Sequence, residues 1–158
     1  MDVKELIGIV KDAGVAGAGG AGFPSYGKLS DRTEIIILNC AECEPLLRLH
    51  RQLLEVHTYE ILSALKIMAE AVGAQQVIIG VKEAYTATVE ALQALSGSFP
   101  MISLGLLPEI YPAGDEVVLI HETTGRVVPP GSIPIEVGVA GPHSAALSSL
   151  ELITMTLI

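Results

Sequence analysis

Tryptophan is absent from this 158-residue chain, and phenylalanine and tyrosine together make up only 4% of it. A core without large rings must be filled by aliphatic side chains, and half of all residues are apolar. With 16 glycines beside them, that balance suits an α/β domain whose parallel strands are buried on both faces. The length suits one domain, large enough to bury a core without staples. Positive charge is also scarce: 9 Lys and Arg stand against 18 Asp and Glu, for a formal net charge of −9. This excludes the basic stripe that a non-specific nucleic-acid surface needs, and it excludes polybasic docking on an anionic leaflet. No apolar run approaches the roughly 20 residues of a membrane span. The start, Met1-Asp2-Val3-Lys4-Glu5, lacks the basic region and apolar core of a signal peptide. The expectation is a soluble, cytoplasmic chain.

Cysteine is nearly absent, but the two present form a Cys-x-x-Cys pair at Cys40 and Cys43. A zinc or iron–sulfur site takes four ligands, and no second pair exists to complete one. A redox pair would sit at a helix start after a strand, which is roughly this position. Two acidic neighbours of Cys43, Glu42 and Glu44, disfavour the thiolate that such chemistry needs. Buried, inert cysteines are the expectation.

What the chain does have is a glycine loop, Gly17-Ala18-Gly19-Gly20-Ala21-Gly22-Phe23-Pro24, with four glycines in six positions and Lys28 shortly after. Glycines let a backbone approach a ligand closely, and successive free N–H groups can hold an anion, most often a phosphate. Lys28 would add positive charge to that cradle. The segment is not a Walker loop, because Gly27-Lys28 is followed by Leu29 rather than Ser or Thr. It is not a dinucleotide fingerprint either, since it follows a helix and leads into a strand. A glycine-rich connection without a ligand remains an alternative on these residues alone.

In chain order, Leu6, Ile7, Ile9 and Val10 predict an amphipathic helix over about 3–13, stopped by Gly14. The run Glu34–Asn39 reads as a strand covered on both faces, delivering Asn39-Cys40-Ala41-Glu42-Cys43-Glu44-Pro45 at its carboxyl end. That end is where open α/β sheets bind ligands. Pro45 suits a first helical turn, and the stripe Leu54, Ile61, Leu65, Met68, Val72 predicts one helix reaching Val72. Arg48, His50 and Arg51 fall in its first turns and read as a solvated face. Val77–Val81 predicts a second strand, 82–95 a second helix burying Tyr85, Val89, Leu92 and Leu95, and Met101–Leu104 a third strand. Alternating strands and helices imply right-handed crossovers and a mostly parallel sheet, a Rossmann-like three-layer α/β domain. Tyr111-Pro112-Ala113-Gly114-Asp115-Glu116 then leads into an apolar helix, its acids suited to the positive end of the macrodipole. Residues 126–138 read as an extended segment wrapping the domain.

Three of these segments, in this order, resemble one family. Gly17-x-Gly-Gly-Ala-Gly-Phe-Pro with Lys28 is similar to the flavin loop of the NADH-binding, FMN-carrying subunit of respiratory complex I. Asn39-Cys-Ala-Glu-Cys-Glu-Pro45 resembles its Asn-Ala-Asp-Glu-Gly-Glu-Pro segment, and Tyr111-x-x-Gly-Asp-Glu116 its Tyr-x-x-Gly-Glu-Glu segment. The wording Ala-Glu-Cys-Glu-Pro-Leu-Leu and Gly-Arg-x-Val-Pro-x-Gly is nearer one branch. That branch contains the C subunit of the Rnf electron-transport complex, the propanediol-utilisation cobalamin reductase and the electron-transfer partner of proline reductase.

The resemblance implies an FMN site made by Gly17, Gly19, Gly20, Gly22 and Lys28 at the phosphate and Asn39 and Glu42 at the ribityl chain or ring edge. Tyr111, Gly114 and Asp115 would close it from the other side. It implies NADH contacts from Phe23, Glu44 and Glu116, whose acids would tolerate NADH but repel a 2′-phosphate. The implied activity is hydride transfer from NADH to FMN, with electrons passed to iron–sulfur clusters on other segments or partner chains. No metal site, nucleic-acid partner or membrane span is implied for this chain. Its place would be cytoplasmic, or peripheral to a membrane complex.

The chain departs from the family at Ala18, where an arginine is common, and at Leu29, where an aromatic is. The branch's later β domain and ferredoxin-type cluster motifs are missing. The expectation is therefore an FMN/NADH-binding domain over 1–138 with an atypical tail over 139–158, a truncated or isolated flavin module. A non-catalytic flavin- or nucleotide-binding fragment acting as an interaction domain is the alternative.

Overall fold

The computed structural model describes residues 1–14, 25–43, 46 and 48–140, with the side chains of Ser25 and Lys28 excluded. Helix α1 (Val3–Asp12) begins where the Asp2 carboxylate accepts from Lys4 and Glu5 N–H, each at 2.9 Å. Such a cap satisfies two of the orphan donors at a helix start. After a short 3₁₀ turn (Ser25–Lys28) comes strand β1 (Ile35–Asn39), then α2 (Leu49–Val56), α3 (Thr58–Val72), β2 (Gln76–Lys82), α4 (Thr86–Leu95), β3 (Ile102–Leu107), α5 (Glu116–Thr124) and β4 (Val139–Ala140).

The sheet order is β3-β2-β1-β4, and every pairing is parallel. The parallel α/β expectation is met. Alternate strand residues divide the core into two. Ile36, Leu38, Val77, Ile79 and Val81 face α1, α2, α3 and α4. Ile37, Ile78 and Val139 face α5 through Leu119 and Ile120. This is the period-two geometry of a strand buried on both sides. Helix α5 lies flush because Gly80 leaves room for it: a Cβ there would stand 2.4 Å from Leu119 Cδ1.

Two expectations are corrected. The single helix reaching Val72 is two helices, broken at His57 (φ −119, ψ 35). Val56 and Thr58 are β-branched, and the Thr58 hydroxyl takes the Leu54 carbonyl, so local side-chain bonding competes with a straight helix. The third strand runs on to Leu107. The segment over 126–138 is irregular apart from a 3₁₀ turn at Pro134–Val137, and after Gly138 the chain enters β4, which pairs with Ile35 and Ile36. Arg126 braces that turn, donating to the Val137 carbonyl at 2.5 Å and to Glu34 at 2.6 Å. Neither partner is close to it in sequence.

Candidate functional site

Among the described residues the four strands run the same way, so their carboxyl ends form one rim, and β1 ends there in the middle of the sheet. Asn39, its last residue, donates from Nδ2 to the Gly114 carbonyl at 2.7 Å and accepts from Ala41 N–H at 3.1 Å. Two segments 75 residues apart are latched by one amide. Gly114 is pressed against the same loop: a Cβ there would lie 1.9 Å from the Ala41 carbonyl oxygen and 2.9 Å from Cys43 Sγ. No side chain fits in that space. The next residue, Asp115, spends one carboxylate oxygen capping α5, accepting from Val117 and Val118 N–H at 3.0 and 3.2 Å. Glu116 opens the helix, and Tyr111 stands 84% exposed at the corner.

Glu42 is turned the other way. Its carboxylate is buried, accepting from His50 N–H at 3.0 Å and from Arg51 Nε at 3.1 Å. His50 Nδ1 lies 3.1 Å from Oε1 without the alignment of a hydrogen bond. The Glu42 carbonyl accepts from Lys82 Nζ at 2.9 Å. The Arg51 guanidinium rests 4.1 Å over the Tyr85 ring, with Lys82 Nζ 5.8 Å from it. Burial lowers the pKa of His50 from its ordinary value, and the neighbouring Glu42 charge opposes that shift.

Several expectations change here. Of the basic residues read as a solvated face, Arg48 is exposed, but His50 is buried and Arg51 half-buried. The reason is the Glu42 carboxylate, which needs partners once it leaves water. Cys40 is buried and its thiol is pushed up by desolvation, as an inert cysteine should be; Cys43, in contrast, is exposed. Among the described residues no group of His, Cys, Asp and Glu is arranged to hold a metal.

The structure brings Asn39 and Gly114 into contact, with Asp115 next in the chain. Gly17, Gly19, Gly20, Gly22, Phe23 and Glu44 lie outside the described residues, as does the Lys28 side chain. Sequence reasoning passed over Lys82, although it is the one charge on the strand Gln76–Lys82 and sits at its carboxyl end. A charge closing an apolar run at the ligand rim was the available signal.

These features define a parallel α/β domain with a loop-built rim, its donors and acceptors gathered from distant segments. The chain matches the Nuo51 FMN-binding domain over residues 10–151 and belongs to that family. It is 44% identical over 138 residues to the cobalamin reductase PduS of Citrobacter freundii, covering 87% of this chain and 30% of that protein. It is 34% identical over 150 residues to the C subunit of the ion-translocating oxidoreductase complex of Vibrio cholerae, covering 93% of this chain and 19% of that one. A crystal structure of an NAD+-reducing [NiFe]-hydrogenase in the air-oxidized state superposes with a TM-score of 0.82 at 25% identity, over 98% of this chain and 30% of its match. The chain thus spans 19% to 30% of the length of these proteins. No helix among the described residues is long and apolar enough to cross a membrane.

Proposed function

We propose that this chain is the FMN-carrying module of an NADH-oxidising electron-transfer system, of the kind formed by the Rnf complex and its C subunit. The observation that carries the reading is the Asn39–Gly114 latch, which joins two of the three family-like motifs at the carboxyl rim of the sheet. The donor set fits the uncharged parts of FMN. Asp115 and Glu116, beside Asn39, bring carboxylates suited to ribityl and ribose hydroxyls and hostile to a phosphate. Helix α5 already has its first N–H groups capped by Asp115, so its positive end is not the phosphate site either. The phosphate then falls to Gly17, Gly19, Gly20 and Gly22 with Lys28. Tyr111 and Gly114 close the far side, and Phe23, Glu44 and Glu116 meet the dinucleotide.

When bound, FMN supplies hydride acceptance and single-electron release. The protein's share is to orient and to select. Electron acceptors would be iron–sulfur clusters carried on other segments or partner chains. The placement would be cytoplasmic, or peripheral to a membrane complex.

Reconstitution tests this. The purified chain with FMN should quench flavin fluorescence, bleach on adding NADH and reduce an artificial acceptor. Tight flavin binding without bleaching would favour the non-catalytic interaction domain, and absence of flavin binding would refute both.

A further inference from the structure

We propose that Lys82, Arg51 and Tyr85 are positioning residues of the flavin site, acting through Glu42; this rests on the reading of the rim given above. The loop from Cys40 to Cys43 has no regular structure, and Cys40 N–H makes its last ladder-like bond, to Gly80 at 2.8 Å. Beyond that point side chains shape it. Asn39 holds Ala41 N–H and Gly114 on the α5 side. On the other side Glu42 is gripped twice: Lys82 takes its carbonyl, and Arg51 with the His50 N–H takes its carboxylate. The Tyr85 ring lies under the Arg51 guanidinium, which restricts where that planar group can point.

Together these contacts tie the loop to the end of β2, to the first turn of α2 and to the residue before α4. A carboxylate this deeply buried is strongly destabilising without its partners. Glu42 is therefore committed to holding the loop, and its grip fixes where Asn39 and the neighbouring backbone face the ligand. The ribityl and ring-edge contacts depend on that placement rather than on the Glu42 carboxylate reaching the flavin.

The test titrates FMN into the parental chain, Lys82→Met, Lys82→Arg and Tyr85→Leu, following fluorescence quenching and the visible circular dichroism of bound flavin. Melting of each FMN-free protein is followed alongside. Lys82→Met should weaken FMN on the order of tenfold, the scale of one charge-assisted hydrogen bond, and should change the flavin dichroism. Lys82→Arg, which keeps a donor for the carbonyl, should recover most of both. Tyr85→Leu should change the dichroism as well. Parental affinity and dichroism in Lys82→Met would overturn the proposal, as would an arginine variant no better than the methionine one. So would variants that lose only melting temperature while their folded fraction binds FMN with parental affinity and dichroism. Failure of the parental chain to bind FMN would instead refute the functional reading beneath it.

Discussion

At the scale of single residues, the site turns on one glycine and one asparagine. With the Ala41 oxygen 1.9 Å from where a Cβ would be, Gly114→Ala must push the two segments apart. Overpacking of this kind costs about 1–3 kcal/mol. The alanine variant should melt lower and lose flavin binding, measurable by thermal denaturation and fluorescence quenching. His50 carries a pH signature. Its folded-state pKa is depressed by burial, so the unfolded chain binds that proton more readily. Stability contributed by neutral His50 is present above about pH 6.5 and is lost as pH falls below it, until the folded value is passed. Melting temperature should therefore fall on acidification below that point, and His50→Gln should flatten the slope. An unchanged slope would show that other groups set the pH dependence.

At the scale of elements, in the proposed function α5 couples stability to the site through Asp115. Its carboxylate caps the helix, and the family resemblance gives it a flavin contact. Serine also caps well, whereas alanine does not, at a cost of about 1 kcal/mol. Asp115→Ser should keep the melting temperature near parental while Asp115→Ala lowers it. If the serine variant also binds FMN as the parental chain does, the carboxylate is a cap alone. Other elements were legible in outline. Periodicity marked α1, β1, β2, α4 and β3, since their apolar spacing answers to the core they face. The break at His57 was not legible, because it depends on a hydroxyl choosing a carbonyl within an otherwise regular stripe. Nor was β4, two residues long, whose turn is held against β1 by the Arg126–Glu34 pair and by Glu34 and Ile35 N–H on the Gly138 carbonyl.

At the scale of the whole molecule, the described rim carries charges of both signs, with Lys82 and Arg51 beside Glu42 and Asp115 and Glu116 at the start of α5. In the proposed function the phosphate of FMN is held by the glycine loop with Lys28. Lys28→Ala should weaken FMN more than riboflavin, which has no phosphate; equal losses would remove Lys28 from that role. Glu116→Gln should raise the KM for NADH in the reconstituted protein while FMN retention stays near parental. Parallel loss of both would place Glu116 in the flavin shell or in folding.

Local order was written in the chain itself. Apolar runs, helix stops and the order of three motifs depend on neighbours close in sequence, and they determined the parallel α/β class and the family. What only tertiary structure decided was direction. Asn39 and Glu42 are three residues apart on one loop, yet one reaches across to Gly114 and the other turns back to Arg51, His50 and Lys82. A buried carboxylate points to wherever cations and free N–H groups await it, and those came from α2, while Lys82 of β2 holds the Glu42 carbonyl.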